Sequence, residues 1–114
     1  MAVAMTNHQR QSDNEYDILS VIEKKPDSSQ REIAKEIGVS LGKTNFIIKS
    51  LIDKGFIKLS NFRRSDNKIA YLYFLTPNGI SEKSRLARSF LTRKISEYED
   101  LEKEIEKLRK EINE

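Results

Sequence analysis

The core-forming residues change period at Gly55, and this one change restricts the chain to few folds. Before it, they recur at helical spacing in three groups: Ile18, Leu19 and Ile22, then Ile33, Ala34 and Ile37, then Leu41, Thr44, Ile48 and Leu51 flanked by Ile47. After it, FIKLSNF and IAYLYFL alternate, with Ile57, Leu59, Tyr71, Tyr73 and Leu75 set against their neighbours. A helix returns to the same face every ~3.6 residues and a strand every ~2. The pattern predicts three helices and then two strands, a mainly α chain with a small β-hairpin.

Local punctuation supports the same order. Asp13 or Asn14 caps the first helix and Pro26 ends it. Ser29 with Glu32 three residues later forms a capping box, expected to satisfy two orphan amides of the second helix. Gly38 stands where a C-terminal cap needs positive φ, Val39 is a small apolar plug, and Ser40 caps a third helix running to about Lys54. Two helices joined by a short glycine-containing turn, the second basic on one side and apolar on the other, make the pattern of a helix-turn-helix. An ordinary helical hairpin carries the same stripe. What separates the two is the hairpin that follows, whose connection RRSDNK places Arg63, Arg64 and Lys68 at its tip. A basic hairpin directly after a helix-turn-helix is a wing, so residues 13–76 read as a winged helix-turn-helix.

Beyond the wing, Thr76 and Pro77 form a helix start, and neither Pro nor Gly interrupts the chain after Gly79. A helix over residues 77–114 would extend roughly 55 Å at about 1.5 Å per residue, longer than a small domain is wide. Tyr98, Leu101, Ile105, Leu108 and Ile112 fall at heptad spacing along it, and Phe90, Leu91 and Ile95 broaden the stripe. Glu99 with Lys103 and Glu106 with Lys110 add favourable i, i+4 pairs. This segment reads as a long C-terminal dimerisation helix forming a coiled coil. A single solvated helix propped by charge pairs is the competing reading of the same residues.

Charge is polarised along the chain. Residues 1–96 hold 17 Lys and Arg against 10 Asp and Glu, whereas residues 97–114 hold 4 against 8. From Gly38 to Lys94 twelve basic residues face only Asp53, Asp66 and Glu82, the footprint of a polyanion-binding surface. Without cysteine the chain can have no disulfide or thiolate metal site, and nothing in it requires an oxidising compartment. No segment has the ~20 apolar residues of a membrane helix. Residues 1–12 read as a flexible N-terminal arm, with Met1–Ala4 an alternative-start remnant. The only histidine, His8, lies in that arm; no catalytic group, metal ligand set or cofactor-binding loop is read from the sequence.

Double-stranded DNA is the polyanion this arrangement fits. If Thr44, Ile48 and Leu51 are buried, Gly42, Phe46 and Lys49 point away from the core, with Lys43 and Asn45 on the flanks. Asn can hydrogen-bond adenine and Lys can address guanine or phosphate, so Asn45 and Lys43 are the expected base readers. Lys49 is expected on phosphate, and Gly42 lets the backbone approach closely. Phe46 either meets a thymine methyl or joins a local cluster with the wing. At the start of the second helix Ser28, Ser29 and Gln30 are candidates to donate to the DNA backbone, capping alone being the alternative for the two serines, and Arg63, Arg64 and Lys68 are expected to reach a minor groove. A dimer would then read a pseudo-palindromic operator with half-sites about 10 base pairs apart. The alternative is a protein-interaction module whose C-terminal helix docks a partner.

The segments SSQREIAKEIGVS, LIDKGFI and LTPNGI together resemble the MarR family of bacterial winged-helix transcriptional regulators, over about residues 15–95. More narrowly, VSLGKTNF, NKIAYLYFLTPNGI and FLTRKISEYEDL look like the branch associated with exopolysaccharide gene clusters. The resemblance implies a DNA-binding homodimer regulating surface-polysaccharide genes; repression by blocking promoter access is its simplest outcome and activation the alternative, and a bacterial cytoplasmic location is the expectation for a chain without cysteine. Typical members add an N-terminal and a further C-terminal helix, where this chain has one long helix, which leaves a small-molecule effector open. Their wing carries an Asp and Arg pair; here Asp66 and Lys68 stand in a wing reading RRSDNK, and Arg63 and Arg64 are the stronger contact candidates.

Overall fold

A computed structural model describes residues 5–113; Met1–Ala4, read above as a remnant, and Glu114, the expected end of the last helix, lie outside the described residues. The order is α1 (Asn7–Lys24), α2 (Gln30–Ile37), α3 (Leu41–Asp53), β1 (Ile57–Arg63), β2 (Ile69–Leu75) and α4 (Pro77–Asn113). The two strands pair antiparallel, with Ile57 opposite Leu75 and Arg63 opposite Ile69.

Local contacts set the boundaries around the helix-turn-helix. Ser29 and Ser40 cap α2 and α3, their hydroxyls accepting from the amides of Glu32 and Lys43 at 3.1 Å. Gly38 ends α2 at φ 76°, a conformation costly for any residue with a Cβ. Thr76 both caps α4, accepting from the Gly79 amide at 3.0 Å, and donates to the Gly55 carbonyl at 2.5 Å. The start of α4 is thereby tied to the end of α3. Gly79 itself is required by space: a Cβ there would collide with the Phe56 carbonyl.

Three local expectations are corrected. The arm is not extended to residue 12, because α1 starts at Asn7 under a complete capping box between Thr6 and Gln9; Asp13 and Asn14 lie inside the helix. The capping box expected of Ser29 and Glu32 is only half formed: Glu32 Oε1 accepts from the Ser29 hydroxyl at 3.1 Å, so one amide is satisfied rather than two. Leu41, placed in the core stripe, is exposed in the first turn of α3, and Ile47 is buried in the core instead.

The core gathers Ile18, Leu19 and Ile22 of α1, Ile33 of α2 and Ile47, Ile48 and Leu51 of α3, closed by Ile57, Tyr73 and Leu86. Each fully buried Ile or Leu contributes about 1.5–3 kcal/mol relative to exposure. Only the base of the hairpin joins this core: Ile57 and Tyr73 are buried, while Leu59 and Tyr71, on the same face farther out, are exposed. The Tyr73 amide also donates to the Pro26 carbonyl at 3.0 Å, fastening β2 to the α1–α2 connection.

α4 leaves this core part-way along its length, which is why the molecule measures 71 × 27 × 21 Å. Its first half is clamped to α1. Arg93 Nη2 donates to Asp13 Oδ2 and Lys83 Nζ to Glu23 Oε1, both at 2.6 Å, and the Phe90 ring stacks on Tyr16 with centroids 5.8 Å apart. Phe90, expected in the dimerisation stripe, is therefore half-buried against its own domain. No helix among the described residues is long and apolar enough to cross a membrane.

Candidate nucleic-acid interface

The chemistry of this surface begins with which side of α3 the core takes. Thr44, Ile47, Ile48 and Leu51 are buried, and the Thr44 hydroxyl donates to the Ser40 carbonyl at 2.9 Å. The opposite side exposes Gly42, Lys43, Phe46 and Lys49, and Asn45 is half-buried at its edge. Nothing lies within 4 Å of where a Gly42 Cβ would stand, so the first turn of α3 is open to close approach. Phe46 is 68 % exposed, which places its ring on the outer face rather than in a cluster with the wing. An exposed aromatic between two lysines offers an apolar contact flanked by positive charge.

The wing tip is ordered by its own side chains. The Arg64 amide donates to the Lys68 carbonyl at 2.8 Å and the Asn67 amide to the Arg64 carbonyl at 2.9 Å. Asn67 takes φ 66°, a left-handed turn conformation that Asn tolerates better than most residues. Its Oδ1 accepts from Arg63 Nη1 at 3.0 Å, while Asp66 accepts from the Lys68 amide at 3.2 Å and lies 3.7 Å from Arg64 Nη2. Asp66 thus pairs with Arg64, and Lys68 meets it through the backbone. Arg63, Arg64 and Lys68 remain exposed, and Lys58 adds a further exposed charge on β1. The part of Asn67 in holding Arg63 was not read from the sequence, although the Asp-Asn pair in a polar connection marks the turn.

At the start of α2 the arrangement differs from expectation. Ser28 is only 5 % exposed, its amide donating to the Lys25 carbonyl at 3.1 Å, so burial removes its side chain from the surface. Gln30 Nε2 donates to the Tyr73 hydroxyl at 3.1 Å, which ties α2 to the base of the wing. Of the three, only Ser29 is exposed, and its hydroxyl is engaged in capping. The structure thus brings the α3 residues onto one face and the wing residues to one tip, while Ser28 and Gln30 brace the scaffold between them.

Residues 11–58 match a family model for winged helix-turn-helix DNA-binding, which ends inside β1. The hairpin that follows in the structure supplies the missing part. The fold is a winged helix-turn-helix. A Streptococcus mutans protein shares it at 20 % identity and TM-score 0.71, with 90 % of this chain and 94 % of that one covered. A PadR-like transcriptional regulator of Bacillus cereus shares it at 15 % identity and TM-score 0.71, over 83 % and 97 %. Streptococcus pneumoniae FabT, solved in complex with DNA, is 26 % identical at TM-score 0.51, over 75 % of this chain but only 58 % of its own. MarR family proteins are also among the similar folds. No curated protein matches the sequence.

Elsewhere, His8, Ser12, Asp13, Arg85, Phe90 and Arg93 line a cleft of about 100 Å³ between α1 and α4. Ligand pockets of drug-sized molecules run to roughly 300–1,000 Å³. Arg93 is already paired with Asp13 there, and Glu97 Oε1 lies 3.5 Å from its buried Nε without the alignment of a hydrogen bond.

Proposed function

We propose that the chain is a sequence-specific double-stranded DNA-binding transcriptional regulator. The observation that carries this reading is the outer face of α3, where Gly42, Lys43, Phe46 and Lys49 are exposed together on a winged helix-turn-helix whose wing tip presents Arg63 and Arg64. In this reading α3 enters the major groove, Asn45 and Lys43 address base edges, and Lys49 neutralises phosphate. The wing arginines enter the adjacent minor groove. Ser29 and the first amides of α2 face the DNA backbone.

The regulator acts as a homodimer through the exposed stripe of α4 and reads a pseudo-palindromic operator with half-sites about 10 base pairs apart. Likeness to known regulator folds supports the assignment to transcription, and with it a bacterial cytoplasmic location. Membership of the MarR family and surface-polysaccharide target genes rest on the sequence resemblance, and a repressor's role on the blocking of a promoter by a bound dimer. An effector ligand has little support, since the α1–α4 cleft is small and its arginines are paired.

Affinity for DNA from upstream of the protein's own gene, measured across a salt series, tests the proposal. Lys43→Ala and Arg64→Ala should each weaken binding, and loss of a phosphate contact should lower the salt slope by about one. Weak, sequence-blind binding that neither substitution changes would overturn it.

A further inference from the structure

We propose that the free half of α4 pairs with that of a second copy as a parallel, in-register two-stranded coiled coil from Tyr98 to Ile112. This rests on the homodimer reading above and adds to it a direction, a register and a starting point.

The seam comes first. Counting heptads along α4 puts Tyr98, Ile105 and Ile112 at position a and Leu101 and Leu108 at position d, all of them exposed. A β-branched residue at a with Leu at d is the combination that favours two parallel strands over higher assemblies, and here both isoleucines take a while both leucines take d. In a parallel pair each of these residues meets its own counterpart, so the five layers are of one kind with one kind.

The flanking charges select the direction. Glu97, Glu104 and Glu111 occupy position g, and Glu102 and Arg109 position e. In a parallel pair each g residue faces the e residue five places on in the other copy, which sets Glu104 against Arg109 twice, a favourable pair. Glu97 would face Glu102, but Glu97 is already neutralised within its own chain. Its Oε2 accepts from Lys94 Nζ at 3.1 Å, and its Oε1 lies 3.5 Å from Arg93 Nε. In an antiparallel pair g faces g, so each such contact sets glutamate against glutamate. The favourable e-to-e contact available there, Glu102 with Arg109, comes in a register that also opposes Glu104 to Glu111.

The upstream boundary is set by Lys94, which occupies the d position before Tyr98. Two like charges in one buried layer would be costly. Lys94 instead bonds Glu97 and lies 5.2 Å from the centroid of the Phe90 ring, which is packed on Tyr16. The side chain that ends the seam is thus held by the same contacts that clamp α4 to its own domain.

The absence of cysteine makes the arrangement directly testable. Tyr98→Cys and Ile112→Cys are made separately in the full-length chain and oxidised, with Ser96→Cys, on the outer face of the pair, as control. Both seam variants should form disulfide-linked dimers, roughly tenfold or more faster than the control, because pairing raises the local thiol concentration. The two reporters stand about 21 Å apart along the helix axis, so no antiparallel register lets both meet their own counterparts. If sedimentation finds a dimer but only one reporter or neither cross-links, the parallel arrangement is wrong and the homodimer stands. A heterodisulfide between Leu101→Cys and Ile112→Cys chains, without the Ile112 homodisulfide, would assign the antiparallel form. A chain that sediments as a monomer at every concentration overturns both this inference and the homodimer.

Discussion

Two helical surfaces are left uncovered by the fold, and they differ in chemistry. The outer face of α3 presents Lys43 and Lys49 around Gly42 and Phe46, whereas the free half of α4 presents Tyr98, Leu101, Ile105, Leu108 and Ile112 between acidic flanks. α3 carries a buried face opposite its basic one, whereas the free half of α4 is exposed on every side and its only apolar face is the stripe itself. A surface of cations and one open glycine suits a polyanion that comes close. A continuous apolar stripe suits another apolar stripe, and loses free energy in water until it finds one. The contrast assigns the two surfaces different partners, and it can be broken at either side independently.

The largest effect is expected on the apolar side. Ile105→Asp places a charge in the middle of the stripe at a position exposed in the monomer, so the packed core of residues 18–86 should stay folded, while the stabilisation that pairing adds is lost. Dimerisation should be lost, and because bivalent engagement is worth about 10²–10⁴ in avidity, operator affinity should fall by a comparable factor. Sedimentation and fluorescence anisotropy on the same sample check both halves; an unchanged dimer would remove the stripe from the account.

Next comes the basic side. Asn45→Ala should cost ~1–3 kcal/mol of operator affinity and relax preference at one base position, seen as a flattened profile at that position in a binding selection. A uniform loss across all sequences would move Asn45 from base reading to backbone contact.

The sequence made the α3 side legible because its determinants are local. Ser29, Gly38 and Ser40 lie within a residue of the boundaries they set, and the change of period after Gly55 announces the hairpin. What the sequence hid was decided by distant neighbours. Phe90 has the spacing of the free stripe, but Tyr16, far earlier in the chain, stacks on it and half-buries it. Gln30 has the look of a free donor, but the Tyr73 hydroxyl across the domain takes it, and Ser28 is buried in the same region. Periodicity fixes which residues share a face; it does not say whether that face meets the chain's own domain or another molecule. The early start of α1 is a different case, since the signal was present in Thr6 and Gln9 and Asp13 was the more conspicuous cap.

Gly42→Ala sharpens the contrast by separating stability from binding. Ala in place of Gly inside a helix adds up to about 1 kcal/mol, less near the first turn, and open space around Gly42 means the methyl group meets nothing. The transition temperature should rise slightly while DNA affinity falls, if the backbone approaches the duplex there. Equal or improved DNA binding would reduce Gly42 to a helix-weakening residue.

The smallest effect serves as a control that touches neither surface. Burial raises the pKa of Asp17 on α1, helped by the negative charge of Asp13. A carboxyl whose folded pKa lies above its unfolded value is bound more tightly by its proton in the folded state, so its contribution to stability grows as pH falls through that folded pKa. Asp17→Asn should remove this dependence. It should stabilise the chain slightly at neutral pH, lose that advantage in acid, and leave DNA binding and dimerisation unchanged, as chemical denaturation at several pH values would reveal.

The most direct measurement is a hydroxyl-radical footprint of the full-length chain on a duplex selected from a random pool. Two recognition helices on one dimer predict two protected segments, related by a dyad and centred about one helical turn apart. A single protected segment at saturation, or protection spread evenly over the duplex, would contradict the account.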